Sequence, residues 1–119
     1  MTTPNEYGVH VNCERITIYH ESPSNMAEVR IAQTERGFFG ACSVYVGSGG
    51  RSGLPSEHSN TPYHATRSAA VQRELLRIEE VARRKRDDPR ASIRDRSTAT
   101  QILTAVGKYR ASLLQTTLF

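Results

Sequence analysis

The chain has 119 residues, 37% of them hydrophobic and 7% aromatic, with no tryptophan. That is enough for one modest core plus long polar segments, and two domains of half this length would each be too small to fold well. Sixteen basic residues against twelve acidic ones give +4, no apolar run reaches a membrane span, and the N-terminal stretch lacks a signal-peptide pattern, so a soluble cytoplasmic protein is expected.

Residues 1–8 read as a loose N-terminus, and the folded part is expected to run from 9 to 88. Val9 and Val11 lie on one parity and Ile16 and Ile18 on the other, a change that calls for a turn or bulge between them. The cluster Glu21-Ser-Pro-Ser-Asn25 then ends the strand. Val29 and Ile31 alternate with polar neighbours, and Thr34-Glu-Arg-Gly37 supplies a short hairpin loop whose glycine can take φ > 0. In the returning strand, Phe38, Cys42, Val44 and Val46 form an apolar face, and Phe39, Ala41, Ser43 and Tyr45 a mixed one. That is the pattern of a half-buried antiparallel strand.

Residues 47–62, GSGGRSGLPSEHSNTP, are too rich in glycine, serine and proline for regular structure, and such a long polar loop is commonly mobile or functional. A helix is expected to begin at Thr66 or Ser68. Val71, Leu75, Ile78 and Ala82 recur at helical spacing as one apolar stripe, and Glu79–Arg83 and Glu80–Arg84 have the favourable i,i+4 order. Pro89 stops it. A basic linker over 89–97 leads to a second helix over 98–119, opened by a Thr98–Gln101 capping box and carrying Ala99, Ile102, Leu103, Val106, Tyr109 and Leu113 on its apolar face. That helix completes the core or forms a homodimer, and the terminal Leu118-Phe119 pair is apolar enough to dock. The fold class is therefore α+β: an antiparallel sheet of three or four strands packed on one helix, followed by a C-terminal helix.

Residues 63–76, Tyr-His-Ala-Thr-Arg-Ser-Ala-Ala-Val-Gln-Arg-Glu-Leu-Leu, resemble the helix opening T-x-x-E-A-x-x-x-x-L of HicB-like antitoxins and related small domains of double-stranded-RNA-binding-like topology. Thr66, Ala70 and Leu75 match; Ala69 stands in place of the glutamate, and the family's preceding Gly-Asp and C-terminal ribbon-helix-helix signature are missing. The resemblance implies a three-stranded sheet packed on a helix and carries over no functional residue. A short arginine-rich chain of this kind is also similar to accessory proteins of phages and plasmids.

The residue chemistry argues against catalysis. His10, His20, His58 and His64 with Cys13 and Cys42 show none of the short paired spacings of a metal site, and the two cysteines are too few for a disulfide framework. A Cys–His dyad drawn from them is unspecific, and Glu79 and Glu80 point apart on their helix. Gly47–Gly53 with Arg51 can wrap a phosphate through backbone N–H groups, but lacks the Lys-Ser/Thr of a P-loop; its G-x-x-G run is also compatible with a flexible loop. No cofactor, metal or enzymatic activity is expected.

Charge carries the functional expectation. Fourteen of the sixteen basic residues are arginine, and the second half of the chain holds thirteen basic against seven acidic residues. Arg83, Arg84, Lys85, Arg86, Arg90, Arg94 and Arg96 face only Asp87, Asp88 and Asp95 in one short stretch, more cations than the helix macrodipole alone requires. These seven, with Arg51, are the candidate site. They point to a small binding protein that contacts nucleic-acid phosphates. The alternative partner is an acidic protein surface, as for a phage- or plasmid-type inhibitor of host nucleic-acid machinery (anti-CRISPR-like). None of the eight Phe and Tyr residues lies within 83–96, so phosphate contact is indicated without base stacking.

Overall fold

The computed structural model describes residues 1–47, 49–57 and 62–118, with side chains as far as 115. Four strands, β1 (Glu14–Ser22), β2 (Asn25–Thr34), β3 (Gly37–Val46) and β4 (Gly49–Arg51), are followed by two helices, α1 (Arg67–Arg86) and α2 (Ile93–Leu118). The strands form one antiparallel sheet in the order β1-β2-β3-β4, so the chain is α+β as the periodicities indicate.

The β2–β3 hairpin turns on Glu35-Arg36, with Gly37 at φ 125°. Its register pairs Val29 with Cys42 and Ala27 with Val44, placing all four beneath the helices. On α1 the stripe Val71, Leu75, Ile78 and Ala82 is fully buried against this face. From α2, Ala99, Ile102 and Val106 complete the same core, packing on α1 and β1. Irregular pairing in β1 between Thr17 and Tyr19 brings Ile16, Ile18 and Tyr19 all against the core, because a bulge resets which side chains point inward.

Five expectations are corrected. The first strand begins at Glu14, not Val9, which makes only an isolated bridge to Ser56. Residues 1–13 instead lie across the second face of the sheet with segment 52–57. Phe39, Ala41 and Ser43 are consequently buried as well, and β3 is covered on both sides. His10 is the peg of this layer, fully buried and edge-on to Phe39 at 5.3 Å between ring centroids. Its Nδ1 lies 2.8 Å from Thr2 Oγ1 and its Nε2 3.2 Å from Glu57 Oε1. Segment 47–62 contains the short strand β4, since two consecutive glycines can still extend along an edge when β3 offers its free backbone groups. The second helix begins at Ile93, capped by Ser92 Oγ, which accepts the Asp95 N–H at 3.0 Å. Thr98 is thus buried inside the helix, and the basic linker shrinks to a tight turn around Pro89. Finally, Glu79 pairs with Arg83 at 2.8 Å, whereas Glu80 and Arg84 remain exposed and apart. Thr66 is the N-cap of α1, accepting the Ala69 N–H at 3.1 Å. The side chains of Leu118 and Phe119 lie outside the described residues, as does His58.

Candidate interface for an anionic partner

Gly47, just after β3, abuts the start of α2. Gly47 adopts φ 62°, and a Cβ there would fall 2.6 Å from the Asp95 carboxylate at the start of α2, so both conformation and space demand glycine. β4 then runs back along β3 beside the C-terminal half of α1. Lys85 Nζ lies over Gly49, 3.4 Å from where a Cβ would stand. Gly49, Gly50, Arg84, Lys85 and Asp88 rim an open cavity of about 250 Å³ whose apolar floor is Val46 and Val81. Arg51 pairs with Val44 across the sheet and so points to the helix side of this edge.

The eight cations read from the sequence do not form a single patch. Arg83 is held by Glu79, and Arg110 from α2 pairs with the same carboxylate while donating Nε–H to Gln72 Oε1 at 3.2 Å. Arg86 grips Asp87 with two nitrogens, at 3.0 and 3.3 Å. These hydrogen bonds hold the Asp87 carboxyl below its ordinary range. Arg90 stands 3.6 Å from Asp88 and Arg94 3.8 Å from Glu21. Arg96 donates to the Arg86 carbonyl at 3.0 Å, closing the α1–α2 turn. Exposed pairs of this kind contribute little to stability, but they halve the positive charge that the raw count suggests. Among the described residues, Arg51, Arg84, Lys85 and Arg96 have no carboxylate within salt-bridge distance; Arg96 is engaged by the Arg86 carbonyl, and the other three flank the glycine turn.

Sequence reasoning passed over Arg73 and Arg77. They straddle Glu74, which is completely buried and accepts from both, at 3.2 and 3.1 Å. Two cations on one carboxylate leave a surplus positive charge, and Arg77 shares the helix stripe of Val81 and Arg84. The signal was Gly40. A glycine inside a strand marks a close approach, and a Cβ at Gly40 would meet Glu74 Cγ at 2.8 Å. Cys42 faces the same place, its thiol pushed up to about 11 by burial first and then by the Glu74 charge, so it stays a neutral, unreactive thiol at physiological pH. Cys13 is half-buried and likewise raised, again chiefly by burial.

Among the described residues no three His, Cys, Asp or Glu side chains gather as a metal site would require, and no helix is long and apolar enough to cross a membrane. No family model matches the chain, and neither a curated protein nor a solved structure matches it.

Proposed function

We propose that the chain is a small binding protein, not an enzyme, that receives nucleic-acid phosphates along the edge formed by β4 and the C-terminal half of α1. One observation carries this reading: Arg84 and Lys85 line one open cavity and Arg51 follows its two glycines on β4, none of the three has a carboxylate partner among the described residues, and Arg77 is in line behind them on α1. Uncompensated cations gain most from phosphate, because no internal ion pair is broken on binding and condensed counterions are released. The remaining arginines mainly shape the surface.

The test is a salt series of fluorescence anisotropy on labelled nucleic acid. Replacing Arg51, Arg84 and Lys85 together with alanine should lower the magnitude of the slope of log K against log salt by about 2–3 on duplex DNA, at roughly 0.9 for each phosphate no longer neutralised. The matched variant Arg83→Ala, Arg86→Ala, Arg90→Ala should change it by less than about 1. Equal effects of the two triple variants would remove the proposed centre, and a wild-type protein that binds no nucleic acid at low salt would remove the reading.

A second reading is favoured by the mixed charge of the α1–α2 turn. Arg86–Asp87, Arg90–Asp88 and Arg94–Glu21 alternate in sign over a short distance. Alternating charge suits a protein surface with its own salt bridges better than a uniform polyanion. On that reading the chain is an inhibitor or adaptor of phage or plasmid type, held on an acidic face of a nucleic-acid-handling protein.

A further inference from the structure

We infer that the cavity between β4 and α1 holds one unstacked base of a single-stranded nucleic acid, and that Asp88 favours bases carrying an exocyclic amino group. The inference rests on the nucleic-acid reading above and deepens it. A site for phosphate alone needs cations and backbone N–H groups. This one adds an apolar floor, Val46 and Val81, and a carboxylate on the rim, neither of which serves an anion. An apolar floor does serve the flat face of a base, and a guanidinium plane can stack on the other face where no aromatic ring is present. Arg84 stands at that rim, with Lys85 beside it to meet the neighbouring phosphate.

Asp88 supplies the selectivity. Its Oδ1 accepts the Arg90 N–H at 2.9 Å, which fixes the side chain and leaves Oδ2 as an acceptor. Hydrogen bonds and the neighbouring Arg90 and Lys85 keep the carboxyl below its ordinary range, so the group is acceptor-only at neutral pH. An acceptor pairs with the amino group of cytosine or adenine and is repelled by the carbonyl that thymine presents in the same place. Gly49 opposite puts no side chain of its own on that wall, which leaves room there for Lys85 Nζ beside an incoming base edge. A base inside a duplex has its pairing edge occupied and cannot enter.

The experiment compares fluorescein-labelled oligo-dC and oligo-dT of about fifteen nucleotides with a duplex of the same length, a size that fills a small single-strand site. Oligo-dC should bind about fivefold or more tighter than oligo-dT, as one discriminating base contact allows, and tighter than the duplex. Asp88→Asn, whose amide can donate as well as accept, should bring the dC-to-dT ratio close to one while affinity for all strands rises together. Val81→Phe, which fills the floor at a half-buried position, should weaken oligo-dC more than the duplex. Equal binding of dC, dT and duplex, or an unchanged dC-to-dT ratio in the Asp88 variant, would overturn the base pocket while leaving phosphate binding in place. No binding of any of the three probes would instead sink both readings.

Discussion

Single atoms decide the packing of α1 on β3. Glu74 is a fully buried carboxylate in the core layer, tolerated because Arg73 and Arg77 reach it from either side and because Gly40 has no side chain to displace it. A buried charge that loses its partners is among the costlier defects a core can carry. Gly40→Ala should therefore destabilise the fold by about 1–3 kcal/mol, the range for overpacking a tight contact, measured by urea unfolding. Unchanged stability would show that Glu74 has room to move. Neither feature was readable as a pair from sequence, since a glutamate on a charged helix looks solvated until the β3 register places Gly40 beneath it.

The elements that were legible share one property: their side-chain pattern repeats. The stripe on α1 and the alternation in β2 and β3 survive local variation because four or five residues report the same period. The elements that were misread lack it. β4 is three residues long and mostly glycine, with no pattern to see. The start of α2 carries a serine with an aspartate three residues on, but Thr98 and Gln101 offered the same signature closer to the apolar run. Gln101 instead accepts from the Tyr19 hydroxyl at 2.6 Å, tying α2 to β1. If Ser92 is the true cap, Ser92→Ala should lower stability by about 1 kcal/mol and reduce helical circular dichroism slightly. No loss on thermal unfolding would place the helix start further along. The candidate site was legible to the same extent: the cations were found from composition, but which of them are neutralised depends on partners such as Glu21 and Glu79, whose distances only the fold sets.

Across the whole molecule, the sheet and helix layers are fastened at one corner by Glu14 and Arg67, the first residues of β1 and α1. The guanidinium meets both carboxylate oxygens, at 2.7 and 2.6 Å. Its hydrogen bonds hold the Glu14 carboxyl below the ordinary value of 4.5. A carboxyl held low binds fewer protons in the folded than in the unfolded state, so its contribution to stability is present above that ordinary value. It is lost as pH falls through the lowered folded one. Wild-type protein should accordingly lose stability on acidification from pH 4.5 downward, and Glu14→Gln, less stable at neutral pH, should lose less over the same interval. Parallel curves for the two proteins in pH-dependent urea unfolding would show that the corner contributes nothing to the acid limb.

The meander order of the sheet has a bearing on how the chain reaches this state. Every strand pairs with the strand next to it in sequence, across turns as short as Pro23-Ser24 and Glu35-Arg36. The entropy of closing such loops is small, and no strand must wait for a distant partner to arrive. Assembly can start at the β2–β3 hairpin and spread outward one neighbour at a time, with α1 and α2 docking on a surface already laid down. In a chain made from its N-terminus all four strands precede both helices, so the sheet can pair before α2 is complete and offer its apolar face as the template on which the helices settle.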